Sequence, residues 1–483
     1  MKLVIAEKPS VAMSIGKVLG ATVKKDGYVE GNGYVVSWCV GHLVGLASTE
    51  MYDEKYKKWV LDDLPIIPST FEYTVAPDKQ KQLKVLSKLL NQKDIDAVIN
   101  ACDAGREGEL IFRLVYQLSK STKPVKRLWI SSMEDSSITD GFASLKDGAE
   151  FDALYQAAAC RQQADWLVGI NATRLFSCLY NQQLNVGRVM SPTLAMIVER
   201  NATIGAFKAE PFYNVVLTTD NVSFSSERMS ELSQAEAMKQ DCQHTPLTIT
   251  NVEQKEKTEK PPKLYDLTTL QREANRKLGF TANQTLEYTQ SLYEKKLVTY
   301  PRTDSKFLTA DMESTLPLVA GISMQLLGLD VDTPTNTHPV IDNSKVSDHH
   351  AIIPTKSADG YDIETLPYGE KSVLTLIALR LLSALGEVYQ YSETTITATC
   401  GEHSFSAKGK TITNTGFKQY EKMLKLEESD TATTLPTMAV DDLLDTFQVE
   451  IKTGKTAPPK QFTDEIYYQG KIRNLASERS PPL

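Results

Sequence analysis

Tyr300, Pro301 and Arg302 are the residues of this chain best suited by type and spacing to covalent chemistry, within Thr299-Tyr300-Pro301-Arg302-Thr303-Asp304-Ser305. A tyrosine becomes a nucleophile only if something offsets a phenol pKa near ~10 and steadies the charge it attacks. Arg302 is a permanent cation whose planar fork suits a phosphate. Pro301 pushes Tyr300 towards an extended backbone and limits how its ring can turn. Thr303, Asp304 and Ser305 supply capping or backbone-bonding groups. The same residues also suit a turn around a partly buried tyrosine, so the reading depends on the rest of the chain.

Carboxylates form the second constellation. Glu7 closes the apolar run that begins at Leu3. Asp103 closes another at residues 97–102 and is followed by Gly105, Arg106, Glu107, Gly108 and Glu109. In open parallel sheets ligands bind at the carboxyl ends of strands. Glu7, Asp103 and Glu107 could therefore converge as hard oxygen ligands for Mg²⁺ beside a phosphate. Gly105 and Gly108 would let backbone amides approach an anion. Ordinary strand-end turn chemistry accounts for the segment equally well.

Three further segments could touch an anionic strand. In Asn185-Val186-Gly187-Arg188-Val189-Met190, a glycine beside an arginine ahead of a helix gives close backbone approach and a phosphate contact. A loop capped by Ser191, with Pro192 at the first helical position, fits the same residues. In the helix expected over residues 161–174, Arg161, Asp165 and Arg174 flank the apolar Trp166-Leu167-Val168-Gly169-Ile170. Arg161 and Asp165 are four apart and suited to pairing on the helix surface. His349, beside His350 in Ser347-Asp348-His349-His350-Ala351, could bond a phosphate or move a proton, or be a satisfied loop histidine.

These groups need a scaffold. A chain of 483 residues exceeds one core and implies several domains. Strand and helix signals alternate over residues 1–145, with strands at 2–6, 35–40, 97–102 and 129–131, which predicts a parallel α/β sheet. Residues 150–205 read as helical and 211–260 as strands. The charged run 253–263 reads as a solvated crossover between domains. Residues 268–390 are mainly helical, with a capping box at Thr281 and Gln284 leading to Tyr300. Residues 393–452 return to strands, as an all-β region split by a helical insertion would.

Composition sets limits. Net charge is -8, which excludes a blanket basic surface and leaves a local Arg/Lys groove as the only route to nucleic acid. No run of about 18 apolar residues exists, so no membrane span is expected, and the N-terminal apolar run is too short for a secretory signal. The six cysteines contain no CxxC pair, which fits reduced core thiols in a cytoplasmic protein and no zinc site.

Taken together, Glu7-Lys8-Pro9-Ser10, Gly41-His42-Leu43, residues 103–109, Asp165-Trp166-Leu167-Val168-Gly169, Gly187-Arg188-Val189, residues 300–305 and residues 348–355 resemble the bacterial type IA DNA topoisomerases, on the topoisomerase III branch. The resemblance runs in family order over about residues 1–465. It implies a multidomain α/β plus α plus β architecture: a Toprim domain followed by a toroidal core with helical and split β domains. The expected boundaries are 1–148 (Toprim), 149–208 (helical, DNA-binding), 209–267 with 393–455 (split β arch), 268–392 (helical, carrying the tyrosine) and 456–483 (return segment).

The implied activity is ATP-independent cleavage of one strand through a 5′-phosphotyrosine bond, passage of another strand, and resealing. The implied substrate is single-stranded or negatively supercoiled DNA, the cofactor Mg²⁺, and the state a monomer. Tyr300 would be the nucleophile, with Glu7, Asp103 and Glu107 forming the metal cluster. Lys8 and Arg302 would stabilise the phosphate charge, with His349 near it. Arg161, Asp165, Arg174 and Asn185 to Met190 would handle the strand.

Two departures from the family pattern matter. Gly105 stands where an acidic residue is frequent, so a second metal site is expected to be weak or absent, in a form compatible with activity. After Glu465 the tail lacks apolar periodicity and reads as a shortened or frameshifted end. The helical region 151–205 would then expose apolar surface and hold DNA less well. A relative that binds or cuts single strands without passing them is the alternative; a Toprim primase or nuclease would need neither Tyr300 nor a gate.

Overall fold

The computed structural model describes residues 1–330, 332–334, 336–346, 349–423 and 434–464. The tail expected to be shortened or frameshifted, from residue 466 onward, lies outside the described residues, as do Ser347 and Asp348.

The first unit carries strands β1 (Lys2–Ala6), β2 (Val23–Lys25), β3 (Tyr28–Gly31), β4 (Tyr34–Trp38), β5 (Val44–Leu46), β6 (Tyr73–Val75), β7 (Ala97–Ala101), β8 (Val125–Arg127) and β9 (Lys146–Asp147). Seven of them form one sheet in the order β2-β3-β4-β1-β7-β8-β9; β5 and β6 pair separately. The centre is parallel, with β1 between β4 and β7, and both edges are antiparallel. Leu3 to Ala6 are fully buried because both faces of β1 are covered, as a central parallel strand requires.

Helices α1 (Pro9–Leu19), α2 (Gln80–Leu90), α3 (Arg106–Leu118) and α4 (Asp135–Ala143) do the covering. Leu3 and Ile5 share a core with α2 and α3, while Val4 and Ala6 share another with α1 and α4. The second of these cores runs on without a break into Tyr265, Leu270, Tyr300 and Ile352. One face of the sheet is therefore packed directly against the unit that bears the tyrosine.

The strand expected at residues 129–131 is not in the sheet; the ladder partner of β7 is Val125–Arg127. Leu128 and Ile130 are apolar because they pack into the shared core. Ser131 gives its carbonyl to the Tyr300 N–H at 3.0 Å instead of to a strand.

Two helices follow, α5 (Asp152–Tyr180) and α6 (Met190–Ala206). Exposed apolar surface was expected here and is present. Val168, Leu179 and Tyr180 on α5 and Met190, Leu194 and Val198 on α6 are exposed, and α6 buries none of its residues.

The rest of the chain is a split sheet with a helical insertion. Its elements are β10 (Pro211–Thr218), β11 (Ser223–Ser225), α7 (Leu232–Cys242), β12 (Leu247–Glu259), then α8 (Leu267–Leu278), α9 (Ala282–Glu294), α10 (Leu316–Leu327) and α11 (Tyr368–Leu385). After them come β13 (Tyr389–Cys400), β14 (His403–Asn414), α12 (Lys418–Met423), β15 (Leu443–Leu444) and β16 (Gln448–Lys455). Strands from both sides of the insertion make one antiparallel sheet, ordered β15-β12-β13-β14-β11-β10-β16. The charged run read as a crossover is corrected by this sheet. Glu253 to Glu259 belong to β12 and pair with β13, with a Lys257–Glu393 ion pair of 2.6 Å across the ribbon. Alternating Glu and Lys suit a largely exposed strand flanking β13, which pairs on its other side with β14, as well as they suit a linker. Among the described residues no helix is long and apolar enough to cross a membrane.

Candidate active site

Local hydrogen bonding zips two of the sequence segments together. The Thr299 N–H donates to Ile353 O at 3.0 Å, its hydroxyl donates to Ala351 O at 3.0 Å, and the Thr303 hydroxyl donates to His349 O at 2.8 Å. The helix before them, α9, starts with the expected capping box of Thr281 and Gln284. Tyr300 and His349, far apart in sequence, become neighbours with ring centroids 4.4 Å apart. Tyr293 closes the other side of the Tyr300 ring at 5.4 Å.

Tyr300 is 7% exposed, and its hydroxyl donates to Asp103 Oδ2 at 3.0 Å. Asp103, Glu7, Glu107, Arg302, Arg161 and His349 all line one cleft of about 750 Å³. The carboxyl ends of β1 and β7 thus meet the tyrosine as the strand-end rule predicts. Burial, followed by the Asp103 and Glu7 carboxylates, pushes the Tyr300 phenol far above its ordinary pKa. Burial also raises Asp103 and lowers His349 to about 4.

Glu7 rises from 4.5 to about 7, through burial first and the Asp103 charge second. A carboxyl whose folded pKa exceeds its unfolded one binds its proton more tightly when folded. Its effect on folding is therefore most favourable below pH 4.5, and stability is lost as pH rises to about 7. The penalty reaches about 3 kcal/mol. Glu7→Gln is expected to raise the urea midpoint at pH 8 in EDTA and to match the unsubstituted chain at pH 4. An equal difference at both pH values would contradict this origin.

Of the three proposed metal ligands, Glu7 and Asp103 meet. Glu107 lines the same cleft but is half exposed, with an oxygen 3.7 Å from His42 Nε2. No group of three such side chains stands together among the described residues. The donor set nevertheless suits a divalent cation, because both carboxylates are raised by burial, Glu7 by the Asp103 charge as well, and positive charge relieves them. Gly105 stands in open space, whereas a Cβ at Gly108 would lie 2.1 Å from Asp103 O. Gly108 is therefore there to let α3 pack under the Asp103 loop, not to cradle an anion.

That loop is held by groups the sequence reading missed. Arg127 is 1% exposed; it donates to Cys102 O and Asp103 O at 2.6 Å each and to Asn100 O at 3.1 Å. Its Nε lies 3.2 Å from Glu109 Oε2 but off the line of the N–H, so charge holds this pair. Glu109, also 1% exposed, accepts from Arg113 and from Asn100 at 2.8 Å each. An isolated arginine in a short strand gives no spacing signal for such a role.

The remaining predicted residues divide. Arg302 is exposed at the cleft and forms no ion pair among the described residues. Lys8 is held by Glu294 at 3.0 Å, which also takes the Ser10 hydroxyl at 3.2 Å. Asp165 pairs with Arg188, at 2.6 and 3.0 Å, and not with Arg161. Arg174 is 5% exposed, donates to the Thr49 hydroxyl and lies over the Trp59 ring at 5.3 Å. In the loop ahead of α6, Asn185, Val189 and Met190 are exposed, while the Val186 N–H donates to the Thr173 hydroxyl. Ser191 does not cap α6; it accepts the Gly187 N–H at 3.1 Å.

The chain matches the family model described as DNA topoisomerase over residues 149–466 and the Toprim domain model over residues 2–133. It is 40% identical to DNA topoisomerase 3 of Bacillus anthracis, the match covering 96% of this chain and 66% of the relative. It is equally similar, at 40%, to DNA topoisomerase 3 of Bacillus licheniformis, over 98% of this chain and 68% of the relative. The chain thus spans about two thirds of the length of these curated relatives. The full-length topoisomerase I structure of Thermotoga maritima superposes with a TM-score of 0.75 at 21% identity, covering 98% of this chain and 75% of that one.

Proposed function

Because the chain belongs to the type IA DNA topoisomerase family, we propose that it cuts one DNA strand through Tyr300, lets another strand pass, and reseals the cut. One observation carries the reading: the Tyr300 hydroxyl sits on Asp103 at the strand-end cleft, with Arg302 open beside it.

The Tyr300 oxygen attacks the scissile phosphorus as its proton passes to the Asp103 carboxylate it bonds; the new O–P bond forms as the bond to the 3′ oxygen breaks, and that oxygen takes up a proton from solvent. The products are a 5′-phosphotyrosine and a 3′-hydroxyl, and the reverse attack reseals the strand. The covalent bond stores the energy of the broken one, so ATP is not needed. Arg302, and Lys8 once it leaves Glu294, offset the charge that builds on the phosphate oxygens. Mg²⁺, held by Glu7 and Asp103, would supply further positive charge at the same phosphate. Arg161, Arg188 and the loop 185–190 track the single strand leading to the cleft, whereas Arg174, expected to join them, is buried against Thr49 and Trp59 and supports α5 from behind. This local set reconciles DNA binding with an acidic net charge. We place the protein in the cytoplasm, as a monomer acting on single-stranded or negatively supercoiled DNA.

A 3′-end-labelled single-stranded oligonucleotide is expected to become protein-linked under denaturing conditions with Mg²⁺ and to stay free in EDTA. Negatively supercoiled plasmid should relax without ATP. Absence of any adduct across a Mg²⁺ titration would overturn the reading. Adduct without relaxation would restrict it to cleavage.

A further inference from the structure

His349 is 3% exposed, and both of its ring nitrogens are engaged. Nε2 faces the carbonyl oxygen of Ala104, the residue after Asp103. A carbonyl only accepts, so Nε2 carries the proton. In the neutral ring Nδ1 is then bare, and it faces the Ser131 hydroxyl at 3.1 Å, which donates to it. Trp129 lies parallel to the imidazole, at 7° with centroids 6.3 Å apart, and is itself backed by Phe151 at 4.9 Å. The same Ser131 accepts the Tyr300 N–H with its carbonyl at 3.0 Å. One residue at the edge of the first unit thus grips both the histidine and the tyrosine of the helical unit.

We propose that Ser131 is a positioning residue for the reaction at Tyr300. Its hydroxyl holds His349 in the tautomer with the proton on Nε2, and its carbonyl sets the backbone of Tyr300. The Nε2–H then points to the Asp103–Ala104 side of the cleft, where it can pass from the carbonyl to an oxygen of the scissile phosphate. The wrong tautomer would present a lone pair to that oxygen. This rests on the reading of Tyr300 as the nucleophile.

Ser131→Ala removes the hydroxyl and keeps the carbonyl, so it isolates the histidine contact. Single-turnover cleavage of an oligonucleotide should fall about tenfold, the scale of one hydrogen bond, with its Kd unchanged. Ser131→Thr, which keeps the hydroxyl, should restore most of the rate. In a His349→Ala background, Ser131→Ala should cost nothing further. A full cleavage rate in Ser131→Ala, or an equal loss in the His349→Ala background, would overturn the proposal.

A second readout does not depend on activity. In chain labelled with ¹⁵N-histidine, the His349 signal, identified by its loss in His349→Ala, should report Nε2–H and become a tautomer mixture in Ser131→Ala. An Nδ1–H signal in the unsubstituted chain would also overturn the proposal. If the unsubstituted chain forms no adduct, the functional reading fails, and the nitrogen spectra decide the part of Ser131 alone.

Discussion

Tyr300→Phe is expected to abolish the Mg²⁺-dependent protein–DNA adduct, by about six orders of magnitude on the scale of a lost covalent nucleophile. The substitution removes one oxygen and little else. The ring keeps its contacts with His349 and Tyr293, and the Tyr300 N–H bond to Ser131 is untouched. What is lost is a hydroxyl donated to Asp103 in a buried site, worth about 1 kcal/mol of net stability. Folding and oligonucleotide binding should therefore survive, which separates a chemical effect from collapse of the site. Denaturing gels measure the adduct, and peptide mass spectrometry of the unsubstituted chain should place it on residue 300. An adduct persisting in Tyr300→Phe would mean another nucleophile, with Tyr293 the nearest phenol to examine.

Glu109→Ala is expected to cost about 3–5 kcal/mol of stability, since it strips a buried cation of its counter-charge. Glu109 holds Arg113, Arg127 and Asn100 at once, and Arg127 is fully enclosed. Burial alone pushes the Arg127 pKa down, so a charge left unpaired there is expensive. The urea midpoint should drop well below that of Lys126→Ala, whose partner Asp147 is exposed. Because Arg127 clamps the carbonyls of Cys102 and Asp103, cleavage should weaken in conditions where Glu109→Ala is still folded. A midpoint unchanged by Glu109→Ala would refute the view of this cluster as the support of the Asp103 loop.

The contrast between these two positions explains what the sequence could disclose. Tyr300, Glu7, Asp103 and His349 were legible because their chemistry is unusual and their spacing follows strand ends and caps. The split sheet was legible too, because β-branched runs stand on either side of a helical block. Arg127 and Ser131 were not legible, because their partners lie in other elements and their own neighbours are ordinary. Residues 129–131 looked like a strand because packing into a shared core and packing into a sheet demand the same kind of side chains around them, Leu128 and Ile130 among them. The Glu/Lys run of β12 was misread for the opposite reason: a strand segment that buries none of its side chains has no apolar alternation to reveal it. Asp165 chose Arg188 over Arg161 because a bidentate fork across a loop outcompetes an i,i+4 contact on one helix.

Glu259 and Tyr389 are the last paired residues of β12 and β13. The entire tyrosine-bearing insertion therefore leaves and re-enters the sheet at one point, as the turn of an outsized β-hairpin. Closing a loop of about 130 residues from a disordered chain costs ~4 kcal/mol plus a constant. A folded insertion whose two ends already lie side by side removes nearly all of that entropy, and the ribbon can then zip as a short hairpin does. The core of the second sheet contains no residue from the insertion. The insertion therefore contributes to that sheet through chain connectivity rather than through packing: its folded helices α8 to α11 hold the ends of β12 and β13 side by side.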